Sequence, residues 1–344
     1  MEKLLAPVPT PAGMDSREIV RRAIELECPP RLPYSFVVPL ETDFFETVAL
    51  QHLREPVGSG RTKGEIGDLY YDEWGVGQEI TKHSWDHVVD HPLCDLHVLA
   101  DYRFPDVTDV ERFGWMRPYL QQAREAGKYV VAADPVMMYE RMRTLMGFEE
   151  LMLAPYTQPR GLDALLDRLT DLTVGAIERW AAAGPVDGFM TWEDFGLQTA
   201  LPMKVETFRA FYKPRYARIV EAAHRNGMHY IWHNCGQIVE MLPDMIDIGV
   251  DVVQLDQPRL MGHRRLAAEF GGRICFWNTV DIQWSTGPAV SGSDIHTEVR
   301  DMTQAFSSLG GLMARQYPQP EDIQLSRDLQ TEIYRAFLDN GCGL

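Results

Sequence analysis

A histidine and a cysteine two residues apart, in His233-Asn234-Cys235-Gly236, follow directly on the apolar run MHYIW. At the end of a strand that spacing turns both side chains to one face, where an imidazole and a thiolate can grip a single Zn²⁺ ion. The next apolar run, VVQL, leads into Asp256, and a carboxylate is an acceptable third ligand for a borderline-soft ion. The same residues also read as a buried wall, because histidine and cysteine both occur in cores that bind no metal.

Acids gather at other run ends. Trp192-Glu193-Asp194 places adjacent carboxylates on different sides of the chain, so that one of them can face a pocket as base or ligand. Asp134 closes AADP, and Asp281 follows ICFWNTV. Acids crowded into one mouth repel one another and raise the pKa of at least one. Asp134 and Asp194 serve equally well as helix N-caps. Trp192, Trp232, Trp277 and Trp284 also stand at or near run ends. Aromatic walls suit a flat or quaternary substrate, and core packing accounts for such residues as well. No GxGxxG, P-loop or GxSxG pattern occurs, so motifs lend no support to a nucleotide cofactor or to serine-hydrolase chemistry.

Groups of this kind need a scaffold that brings run ends to one place. Short apolar runs alternate with longer amphipathic ones, which is the order of βα units around a parallel sheet. The pattern predicts strands over Tyr34 to Leu40, Tyr129 to Val136, Gly188 to Trp192, Met228 to His233, Val250 to Leu255, Ile274 to Asn278 and Gly311 to Arg315. A short eighth is expected near Glu150 to Pro155. Helical spacing covers Leu162 to Ala183, Val205 to Asn226, Gln237 to Ile248, Asp294 to Leu309 and Arg327 to Asn340. Gly227, Gly249, Gly272 and Gly310 stand where C-terminal glycines belong. The expectation is one α/β domain over residues 1–344, a (β/α)8 TIM barrel with an N-terminal helical extension over 1–30. The mixed aromatic and acidic stretch over 66–91 suits a hairpin excursion lying over one end. In such barrels the catalytic groups sit at the C-terminal ends of the strands.

Composition agrees with a large buried core: 344 residues are 45% hydrophobic and 24% charged. A formal net charge of -17, with no Lys/Arg-rich run to reverse it locally, argues against nucleic acid and anionic membrane surfaces as partners. No apolar stretch approaches the length of a membrane span, and the proline-rich start is unlike a signal peptide, so a cytoplasmic location is expected. The five cysteines are odd in number and scattered, which points to thiols rather than a disulfide framework.

From about Ser16 to the C-terminus the chain resembles the uroporphyrinogen decarboxylase superfamily, through SREIVRRAIELECPPRLPYSF, YYDEWGV, FPDVTD, WEDFG, HNCGQIVEMLPDMIDIGVDVVQLDQP and EFGGRICFWNTVDIQ. The HNCG block with its GVDVVQ strand is similar to the branch of zinc- and corrinoid-dependent methyltransferases. The resemblance implies transfer of a methyl group between a small methoxy, methylamine or methylthio compound and a corrinoid (cobalamin) carried by a partner protein, with zinc on His233 and Cys235. Members of that branch usually add a cysteine near the last strand, where this chain reads GGLMARQYPQP, with Arg315 and Gln316. Asp256, or Cys342 if the C-terminus folds back over the mouth, would then complete the ligand set. Glu193, Asp194 and Asp134 would position substrate or handle protons. Trp192, Trp232, Trp277, Asp281 and Gln316 would line the substrate site. Decarboxylases proper carry RQAGRY after the first strand to bind propionates, whereas VVPLETDFFE stands here, which argues against a porphyrinogen. Two other readings stay open: metal-free decarboxylation of a cyclic acid, with Asp134 or Asp194 stabilising a cationic intermediate, and a noncatalytic binding barrel.

Overall fold

The computed structural model describes residues 5–6, 8–37, 40–47, 65–82, 87–306 and 310–341. Eight strands surround one axis: β1 (Tyr34–Ser35), β2 (Phe44–Glu46), β3 (Tyr129–Ala133), β4 (Gly188–Glu193), β5 (His229–Asn234), β6 (Val252–Leu255), β7 (Cys275–Thr279) and β8 (Leu312–Arg315). They pair in parallel in the order β1-β8-β7-β6-β5-β4-β3-β2. A bridge between Ser35 and Thr42 draws the two edge strands together, so the sheet is a nearly closed (β/α)8 barrel.

Seven of these strands fall inside or within one residue of the runs read from the sequence. The eighth does not. Phe148–Thr157 is a helix that buries Leu151 and Ala154 at helical spacing. The missing strand is β2, three residues held by the parallel ladder Phe44↔Tyr129 to Glu46↔Val131. Three residues are too few to show a period of two, and only the ladder to β3 identifies them.

Strand alternation sorts the side chains. Phe44, Tyr129, Val131, Met190, Ile231, Val252, Cys275, Trp277 and Met313 fill the lumen. Val20, Ala23 and Ile24, from the helix Ser16–Ile24, join the same cluster and close its N-terminal end. The N-terminal extension is therefore a plug, tied down where Arg17 N–H donates to the Gly127 carbonyl just before β3. The other strand face packs on the surrounding helices, which carry most of the apolar core.

The stretch over 66–91 holds a three-stranded antiparallel sheet, Leu69–Tyr71, Gly77–Glu79 and His87–Asp90. Its tip is anchored by Trp74, whose ring lies 4.4 Å beneath the buried Arg141 guanidinium, and by the buried Glu73–Arg112 ion pair.

Two loops past the strand ends are locked backbone to backbone. Gly196 N–H donates to the Cys235 carbonyl at 3.2 Å, and Gln237 N–H to the Leu197 carbonyl at 2.8 Å. Neither glycine has room for a side chain: a Cβ on Gly196 would lie 2.5 Å from Gln237 N, and one on Gly236 (φ +77°) 2.1 Å from the Gly196 carbonyl oxygen. This contact draws the residues after β4 against those after β5. Replacing either glycine by alanine should cost about 2 kcal/mol or more, lowering Tm by roughly 4 °C or more in thermal denaturation. Gly227→Ala, also at positive φ (+73°) but with nothing within 4 Å, should cost only about 1 kcal/mol. Equal effects at Gly236 and Gly227, or no effect at Gly196, which has no positive φ to strain, would mean that the close approach contributes nothing beyond backbone strain.

Candidate metal centre

His233 and Cys235 come from the C-terminal end of β5 and face the lumen side, two residues apart as the pleat requires. Asp194, immediately after β4, completes the group: one oxygen of its carboxylate lies 3.6 Å from His233 Nε2, and Cys235 Sγ lies 3.7 Å from the same nitrogen. All three donor atoms are within 4.8 Å of one another. A tetrahedral zinc with bonds of about 2.0–2.3 Å holds its ligand atoms roughly 3.5 Å apart, so this spacing matches the edges of such a site. Three protein donors with one corner left over is the pattern of a catalytic rather than a purely structural centre.

The imidazole is oriented from behind. Gln254 pairs with His233 in the β5–β6 ladder, and its Oε1 bonds His233 Nδ1, while its Nε2 donates to Asp256 Oδ1 at 2.9 Å. Because the carboxylate can only accept, the amide must turn its oxygen to the imidazole, which makes Nδ1 the protonated nitrogen. Nε2 is then free to ligate, directed at Asp194 and Cys235. Asp256 lies behind the ligand set, bonded to Gln254, and is not one of the three clustered donors. Cys342 lies outside the described residues.

The surroundings are acidic. Burial pushes the Cys235 thiol well up, and the charges of Asp194 and Asp256 push it further. Burial works against the Asp194 charge, but the bond from His233 and its field hold that carboxyl below the usual range. Burial also opposes protonation of His233, yet Asp194 and Asp256 leave its pKa raised. Glu140, in the helix Met138–Met146, accepts from the Asp194 backbone and is paired with Arg143 at 2.7 Å. Together these carboxylates favour a cation at the donor group, whose charge would in turn bring the thiol into its anionic form.

Trp192 stands beside His233 in the β4–β5 register, half-buried against the lumen cluster. Trp277 lies on the same face, stacked on Phe44 at 4.4 Å, with the Arg315 guanidinium 4.5 Å from its ring centre. Sequence reasoning passed over Gln254, Glu140, Gly196 and Tyr317, whose hydroxyl is pushed up by burial and by the nearby carboxylates Asp256, Asp322 and Asp194. Strand parity was the available signal for Gln254 and Tyr317, since each stands two residues from a lumen-facing position.

Other residues named above have partners of their own. Glu193 points to the helix side: its carboxylate accepts from the backbone N–H of Tyr139 and Glu140 and from Tyr216 Oη at 2.8 Å. Burial holds its carboxyl well above the usual range. Asp134, fully buried and raised to about 6 by that burial, accepts from Val136 and Met137 N–H and so caps the turn into the next helix. Asp281 caps the short helix Ile282–Ser285. Trp232 is packed on the helix side against Phe195 and Tyr216. Trp284 lies under the Arg259 guanidinium. Gln316 accepts from Val37 N–H at 3.0 Å.

A methyltransferase from Methanosarcina mazei has a similar structure, with a TM-score of 0.62 at 16% identity, over 95% of this chain and 99% of that one. A D-allulose 3-epimerase from Methylomonas sp. matches at a TM-score of 0.40 and 13% identity, over 67% and 82% of the two chains. A xylose isomerase domain protein from Alicyclobacillus acidocaldarius matches at 0.38 and 11%, over 73% and 95%. No curated protein matches the sequence. The family model described as uroporphyrinogen decarboxylase (URO-D) matches residues 75–302, well over half of the chain, and spans β3 through β7, including the Asp194–His233–Cys235 group. The chain belongs to the uroporphyrinogen decarboxylase (URO-D) family.

Proposed function

We propose that this protein is a methyltransferase that moves a methyl group between a small methoxy, methylamine or methylthio compound and a corrinoid carried by a partner protein. The observation that carries the reading is the convergence of three donors, Asp194, His233 and Cys235, at a barrel mouth. Similarity to the Methanosarcina mazei methyltransferase supports the same barrel architecture. Among the described residues no helix is long and apolar enough to cross a membrane.

Zinc held by Asp194, His233 and Cys235 would supply Lewis acidity to a substrate oxygen, nitrogen or sulfur, making the carbon–heteroatom bond easier to break. The protein's own residues do the positioning. Gln254 and Asp256 fix the His233 tautomer and ring direction. Trp192 walls the substrate beside the donors. Asp194, whose side chain is 41% exposed against 9% for His233, is the more accessible of these two donors. Of the two acids that the decarboxylase reading offers for stabilising a cationic intermediate, Asp134 is committed to the Val136 and Met137 N–H groups, which leaves Asp194 alone for that role.

Protein purified without chelator should contain about one zinc per chain by elemental analysis, and a His233→Ala, Cys235→Ala double variant should contain none. With zinc bound, at least one of the three compound classes should methylate cob(I)alamin, followed by the visible spectrum. Zinc-free native protein, or zinc-loaded protein that methylates from none of them, would overturn the proposal.

The ligand assignment has its own test. Asp194→Ala should abolish tight zinc binding, whereas Asp256→Asn and Gln254→Ala should weaken it by about 10–100-fold in chelator competition while leaving the fold intact. A stronger effect at Asp256 than at Asp194 would exchange their roles.

A further inference from the structure

Among the described residues, the Arg315 guanidinium is left half-used. Arg315 ends β8 and is 3% exposed. Met313, two residues earlier, belongs to the lumen cluster, so Arg315 lies on the same lumen face at the C-terminal end. Its position over the Trp277 ring, itself a lumen residue, agrees. One terminal nitrogen, Nη2, donates to Glu46 at 2.8 Å, and Glu46 is held in turn by Ser35 Oγ. The other, Nη1, is buried and has no hydrogen-bond partner.

An unsatisfied cationic donor out of water is costly unless something completes it. A guanidinium carries five N–H groups in a planar fork, and the partner that matches a free edge of it best is a carboxylate. In the eight-stranded order β8 stands four places from β4, directly across the lumen from the strand that presents Asp194. A small molecule reaching across the mouth would therefore place one end on the donor group and the other on the β8 wall.

We propose that Arg315 binds a carboxylate group of the small-molecule substrate, so that this enzyme acts on methylated compounds bearing an acid group. The inference rests on the methyl-transfer reading for its chemistry, but the anion site stands on the Arg315 geometry alone. Glu46 competes for the same guanidinium and keeps it oriented in the absence of ligand. The Trp277 ring, stacked on Phe44, lies 4.5 Å from the guanidinium carbon and braces it.

The test is calorimetric titration of the full chain with methoxy-, methylthio- and dimethylamino-substituted carboxylic acids, each beside its primary amide. At least one acid should bind about tenfold or more tightly than its amide, equivalent to about 1.4 kcal/mol. Arg315→Gln, checked for folding by circular dichroism and for unchanged zinc content, should bring that ratio near one. Glu46→Gln, which removes the competing carboxylate, should raise affinity for the acid. In the zinc-free His233→Ala, Cys235→Ala variant the preference should persist, because the guanidinium and not the metal carries it. Amides binding as well as acids, no acid binding at millimolar levels, a preference that survives Arg315→Gln, or one that vanishes with zinc would each overturn the assignment. Since none of these readouts involves turnover or a corrinoid, failure of methyl transfer would show separately, in the cob(I)alamin experiment.

Discussion

Six consecutive residue pairs bind β4 to β5 in parallel, from Gly188↔His229 to Glu193↔Asn234, and the glycine contact beyond their ends extends that register into the loops. The convergence of Asp194, His233 and Cys235 follows from this junction. Without the ladder, Trp192 and His233 would not share a row. Without the approach of Gly196 to Gly236, Asp194 would not meet Cys235. Asn234 strengthens the same seam from the helix side, accepting from Phe195 N–H at 3.2 Å. Phe195 is in turn stacked on Tyr139 at 3.8 Å within an aromatic cluster. A rigid seam matters because a three-donor site tolerates little displacement before its ligands cease to converge.

The pleat divides labour between neighbouring residues. Asp194 faces the mouth, whereas Glu193, one residue earlier, turns to the helices and binds two backbone N–H groups at the start of Met138–Met146. Glu193 thus fastens in place the helix that brings Glu140 and Arg143 beside the donors. Asp134 does comparable work one strand over, on the turn leading into that helix. These buried acids support the site from outside the lumen, and their raised pKa values follow from burial and helix packing. A perturbed carboxyl is therefore a poor guide to catalysis in this barrel unless the face it occupies is known.

The mouth itself joins opposite characters. On the β4–β6 side, Asp194, Asp256 and Glu140 surround an imidazole and a thiol, an arrangement suited to a cation. Across the lumen, Arg315 presents a guanidinium braced by Trp277 and Glu46. His233 and Arg315 stand within the last two residues of their strands, and Asp194 and Cys235 directly follow theirs, so both walls are held close to the sheet.

Much of this was legible in the sequence. Alternating apolar and amphipathic runs determined the barrel class, because strand and helix periods differ, and the His-x-Cys spacing at a strand end determined that two soft donors would share a face. Which acid would join them was not determined. Asp194 and Asp256 both follow strands, and only the tertiary structure, through the Gly196–Gly236 approach and the Gln254 bridge, brings one into the donor group and leaves the other behind it. The three-residue strand β2 and the pairing of Arg315 with Glu46 were likewise invisible, since both depend on contacts between segments hundreds of residues apart or too short to carry a period. Local sequence sets which way a side chain points along its own strand; what it meets there is decided by the register and closure of the whole sheet.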